Sequence, residues 1–160
     1  TDELTQLYNR RYINNILKNQ HELFRRYHTV SSYIMVDIDY FKRINDSFGH
    51  QVGDEVLQKI AGFIKGGIRS IDFACRWGGE EFLIILSNTP LESATLLAEK
   101  LRKGLMKLAF STNTVVTASF GVGQISDGED TNGLLKRIDD ALYQAKKMGR
   151  NRVVTSKVSP

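Results

Sequence analysis

A chain of 160 residues, 41% hydrophobic and 25% charged, has the composition of one globular domain, and only 2 prolines beside 13 glycines argue against a long disordered tract. No apolar run approaches the ~18 residues that a membrane helix needs, and the single cysteine, Cys75, excludes an intrachain disulfide and suits a reducing compartment. The formal charge of +4 leans towards anionic partners, but 18 acidic residues are interspersed, so charge alone assigns none.

In chain order, Tyr12, Ile13, Ile16, Leu17, Phe24 and Tyr27 recur at helical spacing and predict a first amphipathic helix. Tyr33-Ile34-Met35-Val36 predicts a buried strand that ends in Asp37-Ile38-Asp39, followed by a turn over Tyr40, Phe41 and Lys42. Val52, Val56, Leu57, Ile60 and Ile64 mark a second helix. Phe73–Arg76 and Phe82–Leu86 flank Gly78-Gly79, a hairpin signal whose turn positions would need positive φ. Ala94, Leu97, Leu101, Leu105 and Leu108 predict a third helix, and Thr114–Ser119, rich in β-branched residues, a strand. Leu134, Leu135, Ile138, Ala141, Leu142 and Ala145 predict a last helix capped at Gly149, after which Val153 and Val154 close the sheet. The order strand–helix–strand–strand–helix–strand predicts an α+β fold, ferredoxin-like, with a mixed and mainly antiparallel sheet flanked by helices.

In such a sheet the first strand lies beside the hairpin, so Asp37 converges with Glu80 and Glu81. Converging carboxylates repel unless a cation lies between them. Magnesium takes hard oxygen ligands and leaves room for phosphate oxygens, and a pair of such ions serves phosphoryl transfer. His21, His28 and His50 show no metal-binding spacing.

The run Arg76-Trp77-Gly78-Gly79-Glu80-Glu81-Phe82 resembles the signature of the GGDEF family of diguanylate cyclases in its Glu form. Further motifs follow the family's order: Asp2-Glu3-Leu4-Thr5, Asp37-Ile38-Asp39-Tyr40-Phe41-Lys42 to Asn45-Asp46, Gly49-His50, Gly53-Asp54, Ser119-Phe120-Gly121-Val122, Ala141 to Lys146, and Gly149-Arg150-Asn151. The resemblance covers essentially the whole chain, taken as one domain over 1–160. It implies the nucleotidyl-cyclase, palm-like variant of the fold and the condensation of two GTP into cyclic di-GMP and two pyrophosphates, with magnesium or, in its place, manganese.

The same resemblance implies that Asp37, the Ile38 carbonyl and Glu80 hold the metal, and that Glu80 or Glu81 acts on the attacking hydroxyl. Asn45 and Asp54 would read guanine, with His50 packed nearby. Tyr40, Phe41, Lys42, Gly78 and Gly79 would border the nucleotide, and Lys146 and Arg150, on one helix face if the helix continues, would meet the triphosphate. Arg69-Ser70-Ile71-Asp72 matches an inhibitory product site at the far end of the strand from the acids. A homodimer is expected, with an N-terminal sensory or dimerisation module joined near Thr1–Thr5 and no nucleic-acid partner. The expected setting is bacterial and cytoplasmic, with or without a membrane anchor elsewhere in the full-length protein. Two other readings compete: a non-catalytic nucleotide receptor, against which the intact acids argue, and a polymerase-like protein, which should show a basic, aromatic-interleaved track absent from this sequence.

Overall fold

All seven residues of β1 (Ser32–Ile38) are buried, because helices cover both faces of the sheet that it centres. The computed structural model describes residues 1–157. Its five strands run in the order β2-β3-β1-β4-β5, with β2 (Phe73–Arg76), β3 (Glu81–Leu86), β4 (Ala118–Gln124) and β5 (Val153–Thr155). Every pairing is antiparallel except β4 with β5, so the predicted ferredoxin-like sheet is present with one added parallel strand.

Side chains alternate between the two faces. Ile34, Val36, Phe82, Ile84 and Phe120 pack against α3 (His50–Gly67) and α4 (Leu91–Leu105). Tyr33, Met35, Cys75, Leu83 and Ile85 pack against α1 (Arg10–Tyr27) and α5 (Thr131–Lys147). Each such fully buried side chain contributes about 1.5–3 kcal/mol. Parity also places the ends of the strands: Asp37 and Glu81, two residues beyond Met35 and before Leu83, share the α5 face.

The helices depart from the sequence reading in informative ways. A short helix, α2 (Phe41–Phe48), replaces the predicted turn; Tyr40 caps it at φ 56° with no side-chain cap bond. On α1, Ile13, Leu17 and Gln20 are buried whereas Tyr12 and Tyr27 are exposed. α4 ends at Leu105, before Leu108. The strand read over Thr114–Ser119 lies at Ala118–Gln124 instead. α5 stops at Lys147, so Lys146 and Arg150 do not share a helix face; Gly149, Arg150 and Asn151 follow with φ of 118°, 65° and 46°. Gly78 and Gly79 are not among the positive-φ glycines, because four residues, Trp77–Glu80, join β2 to β3 and no tight two-residue turn is needed.

The N-terminal segment closes the free edge of β2. Tyr8 forms a parallel bridge to Cys75, donating its N–H to the Ala74 carbonyl (3.2 Å) and accepting from the Arg76 N–H (3.1 Å). Under this cover burial pushes the Cys75 thiol up to about 12. The native protein is therefore expected not to react with iodoacetamide at neutral pH and to be fully alkylated in denaturant. Alkylation of the folded protein at the rate of a free thiol would contradict this packing.

Candidate active site

The antiparallel register sets Asp37 opposite Glu81, and the Ile38 N–H donates to the Glu80 carbonyl (3.2 Å). The three acids that the sequence singled out thus meet at one sheet edge. Burial pushes the Asp37 carboxyl above the ordinary carboxylate range, and Glu80 and Asp39 push it further; Lys146 opposes them, its Nζ 2.5 Å from Asp37 Oδ2. The Glu81 carboxyl is also raised, first by burial and then by Asp37. Lys146 reaches across from α5 and balances part of this negative charge.

These hard oxygen donors fit magnesium. Among the described residues no three acidic, histidine or cysteine side chains stand as a ready-made metal cluster. Two protein carboxylates with phosphate and water oxygens are enough for that ion.

Beside Glu80 opens a cleft of about 470 Å³ lined by Phe41, Lys42, Asn45, His50, Asp54, Leu57, Arg76, Gly79 and Glu80. It gathers Lys42 and Asn45 from α2, Asp54 from α3, and Gly79 and Glu80 from the loop between β2 and β3. Asn45 lies on α2 and Asp54 on the second turn of α3. The two helices approach closely because position 53 is glycine: a Cβ there would collide with the Asn45 amide oxygen. Gly79 has open space where a side chain would be, whereas a Cβ at Gly78 would stand 3.3 Å from Glu81 Oε1. Arg76 braces this loop by donating from Nη2 to the Gly79 carbonyl (2.9 Å) while pairing with Asp2 (3.4 Å).

At the start of α2 two arginines meet on one ring, an arrangement that only partly follows the sequence reading. Arg150 lies over the Tyr40 ring, 4.7 Å from its centroid, and Arg43 lies 4.4 Å from the same centroid. Arg43 was not foreseen, since nothing in its spacing separates it from a solvated helix residue. Asp39, which the sequence shows as part of a motif without a role of its own, is buried and accepts from Thr117 Oγ1 (2.7 Å), Ser119 Oγ (2.7 Å) and the Asn151 N–H (3.0 Å).

At the other end of β2, Arg69 and Asp72 form a forked pair, Nε to Oδ2 at 3.0 Å and Nη2 to Oδ1 at 2.9 Å. Asp72 is buried and also accepts from the Arg69 and Ser87 N–H groups. It reaches the site already bonded, and Arg69, further held by the Ser87 carbonyl and Thr89, has a side chain 53% exposed.

A ferredoxin-like sheet that brings Asp37, Glu80 and Glu81 together, with Glu80 lining a polar cleft, defines the nucleotidyl-cyclase class of fold. The chain belongs to the GGDEF family: the family model described as diguanylate cyclase, GGDEF domain, matches residues 1–152. It is 42% identical over 163 residues to the response regulator PleD of Caulobacter vibrioides, covering 96% of this chain and 35% of that protein. The chain therefore spans about a third of the length of this curated relative. Among solved structures it superposes on the GGDEF domain of DgcB from Caulobacter crescentus, in complex with cyclic di-GMP, at a TM-score of 0.94 with 33% identity, covering 99% of this chain and 96% of that one. The active GGEEF domain of a diguanylate cyclase from Vibrio cholerae matches at 0.91 with 39% identity, covering 96% of this chain and all of that one (100%).

Proposed function

We propose that this chain is the catalytic domain of a diguanylate cyclase, joining two GTP molecules into cyclic di-GMP with release of two pyrophosphates. The observation that carries this reading is that Glu80, beside the paired Asp37 and Glu81, lines the cleft that holds Asn45 and Asp54. Asp54 can accept from guanine N1–H and the exocyclic amine together, a pattern that adenine lacks, and Asn45 can pair beside it; such a site rejects the wrong base strongly. Tyr40, Phe41 and Lys42, at the start of α2, border the phosphates with main-chain N–H groups and one ammonium. Gly78 and Gly79 leave the backbone open to the nucleotide.

Bound to Asp37, the Ile38 carbonyl and Glu80, magnesium (or manganese) would supply charge neutralisation at the phosphates. The side chains do the rest. Lys146 and Arg150 hold the polyphosphate, and Glu80 or Glu81 takes the proton as the 3′-hydroxyl oxygen bonds to the α-phosphorus of the second GTP. The bond from that phosphorus to the bridging oxygen breaks, and pyrophosphate leaves. One domain binds one GTP, so two domains must face each other, and catalysis needs a homodimer. A sensory or dimerisation module in the remainder of a longer protein would bring the domains together, in a bacterial cytoplasmic setting. The direct experiment incubates the domain at high concentration with GTP and magnesium and separates the nucleotides by chromatography. Cyclic di-GMP formed from GTP, with ATP left unconverted in a parallel incubation, supports the reading; unchanged GTP refutes it.

The Arg69–Asp72 pair is the proposed inhibitory product site, with Asp72 orienting Arg69 and the exposed guanidinium edge meeting a guanine or phosphate. Four residues of β2 separate it from the hairpin, about 13 Å at the rise of a strand, so one nucleotide does not touch both ends. Arg69→Ala is expected to keep GTP turnover and to lose inhibition by added cyclic di-GMP, read as initial rate against product concentration. An unchanged inhibition curve would leave the pair as a local ion pair of the fold.

A further inference from the structure

The turn after α5 carries Arg150 in a backbone shape that polypeptides avoid. Gly149, Arg150 and Asn151 have φ of 118°, 65° and 46°, and Tyr40, on which Arg150 rests, has φ 56°. Two of the turn's three residues are not glycine, and such a backbone persists only where its surroundings over-determine it. The surroundings do so through Asn151. Its N–H donates to Asp39 Oδ2 (3.0 Å), its side-chain oxygen accepts from Arg102 Nη1 (3.1 Å), and its amide nitrogen lies 3.3 Å from Met106 Sδ.

Asp39 is the hinge point of this arrangement. Its own N–H donates to the Thr117 carbonyl (2.9 Å), and its two oxygens take Thr117, Ser119 and Asn151 together. It is 5% exposed and reaches no cation among the described residues. A buried carboxylate bonded only by hydroxyls and one main-chain N–H contributes fixed geometry, because loss of the acceptor would leave that N–H unsatisfied.

We propose that Asp39 is a positioning residue for polyphosphate binding: through the Asn151 N–H it fixes the turn that sets Arg150 on Tyr40 at the start of α2. This rests on the reading of the adjoining cleft as a GTP site. Asp39 touches no substrate atom itself; Asp37, two residues before it, faces the chemistry, and Asp39 faces the scaffold.

The prediction is a selective loss. Asp39→Ala should weaken a non-hydrolysable GTP analogue by roughly tenfold or more, the scale of one hydrogen bond to a charged group, and leave guanosine affinity unchanged. Asp39→Asn should restore most of the loss: with its carbonyl in place of Oδ2 it can accept from the Asn151 N–H and Thr117 Oγ1, while the Ser119 hydroxyl can rotate to accept from its amide. In an Arg150→Ala background, Asp39→Ala should add little, since the contact that it positions is already gone.

The experiment is calorimetry of both ligands on the four proteins and the double variant, with hydrogen exchange at the Asn151 amide, protected in the wild type and open in Asp39→Ala. If Asp39→Ala does not fold, Asp39→Ser, which keeps a hydroxyl but is too short to reach Asn151, takes its place. Equal losses for the analogue and guanosine, or losses additive with Arg150→Ala, overturn the proposal and leave the GTP reading standing. A wild-type protein that binds neither ligand overturns the GTP reading and this proposal with it.

Discussion

Glu80→Gln is expected to lower cyclic di-GMP synthesis by about a hundredfold or more, the scale seen when one preorganised electrostatic contact is removed from a transition state. The substitution keeps the size of the side chain and the main-chain bond from Ile38 N–H to the Glu80 carbonyl. It removes one of the charges that push Asp37 upward. The fold therefore loses nothing, and stability should stay within about 0.5 kcal/mol of the wild type. Initial rates by chromatography, paired with a thermal melt, check both parts. Synthesis at the wild-type rate would remove Glu80 from the site; a large drop in melting temperature would make it a residue of the fold.

The largest effect on stability is expected at Gly121, in the middle of β4. A Cβ at this position would stand 2.5 Å from the Ile138 carbonyl oxygen and 2.6 Å from the Leu142 nitrogen. Both are backbone atoms of α5, so no side chain can rotate away and the whole helix must lift. Gly121→Ala should cost about 3 kcal/mol, at the upper end for overpacking, and lower the melting temperature by roughly 6–12 °C. Gly62→Ala is the control. No atom lies within 4 Å of its added Cβ, and it sits inside α3, where alanine is worth up to ~1 kcal/mol over glycine. The lifted helix also carries Lys146 away from Asp37, so turnover should fall in Gly121→Ala at temperatures where the protein is still folded. Equal melting temperatures for the two variants would show that α5 does not lie against β4 as closely as described.

The elements legible in the sequence are those with strong periodicity. The apolar run of β1, the two arms of the hairpin and the spaced leucines and alanines of α3, α4 and α5 each have a single reading, and from them the sheet order and the meeting of Asp37 with Glu80 and Glu81 follow. α2 was hidden because Phe41–Phe48 is mostly polar, with Asn45, Asp46 and Ser47 poor helix formers; only Phe41 is buried, and the helix rests on its contact with α3. β4 was read too early for the opposite reason. Thr114 to Thr117 have the side chains of a strand without its partners, whereas Phe120-Gly121-Val122-Gly123 carries glycines that weaken a strand signal. Those glycines make room for Ile138 and Leu142 of α5, and local propensity cannot register a packing partner so far along the chain. Asn45, Asp54, Arg69 and Asp72 were found by resemblance to family motifs, since each alone is an ordinary helix or surface residue. Asp39 and Arg43 had no local signal, because their roles depend on Asn151 and Tyr40, brought near by the fold.

Pulled along its length, the bridge of Tyr8 to β2 has a mechanical consequence. Its two hydrogen bonds, to the Ala74 carbonyl and from the Arg76 N–H, lie across the strand, so tension along residues 1–8 shears both at once and does not unzip them one by one. Asp2 adds a third attachment at Arg76, whose guanidinium grips the Gly79 carbonyl. Residues 1–8 are thus geared to β2, a stiff rod with the Arg69–Asp72 pair at one end and the Gly78-Gly79 loop at the other. A displacement of residues 1–8 therefore pulls first on β2 and, through Arg76, on the loop that carries Glu80.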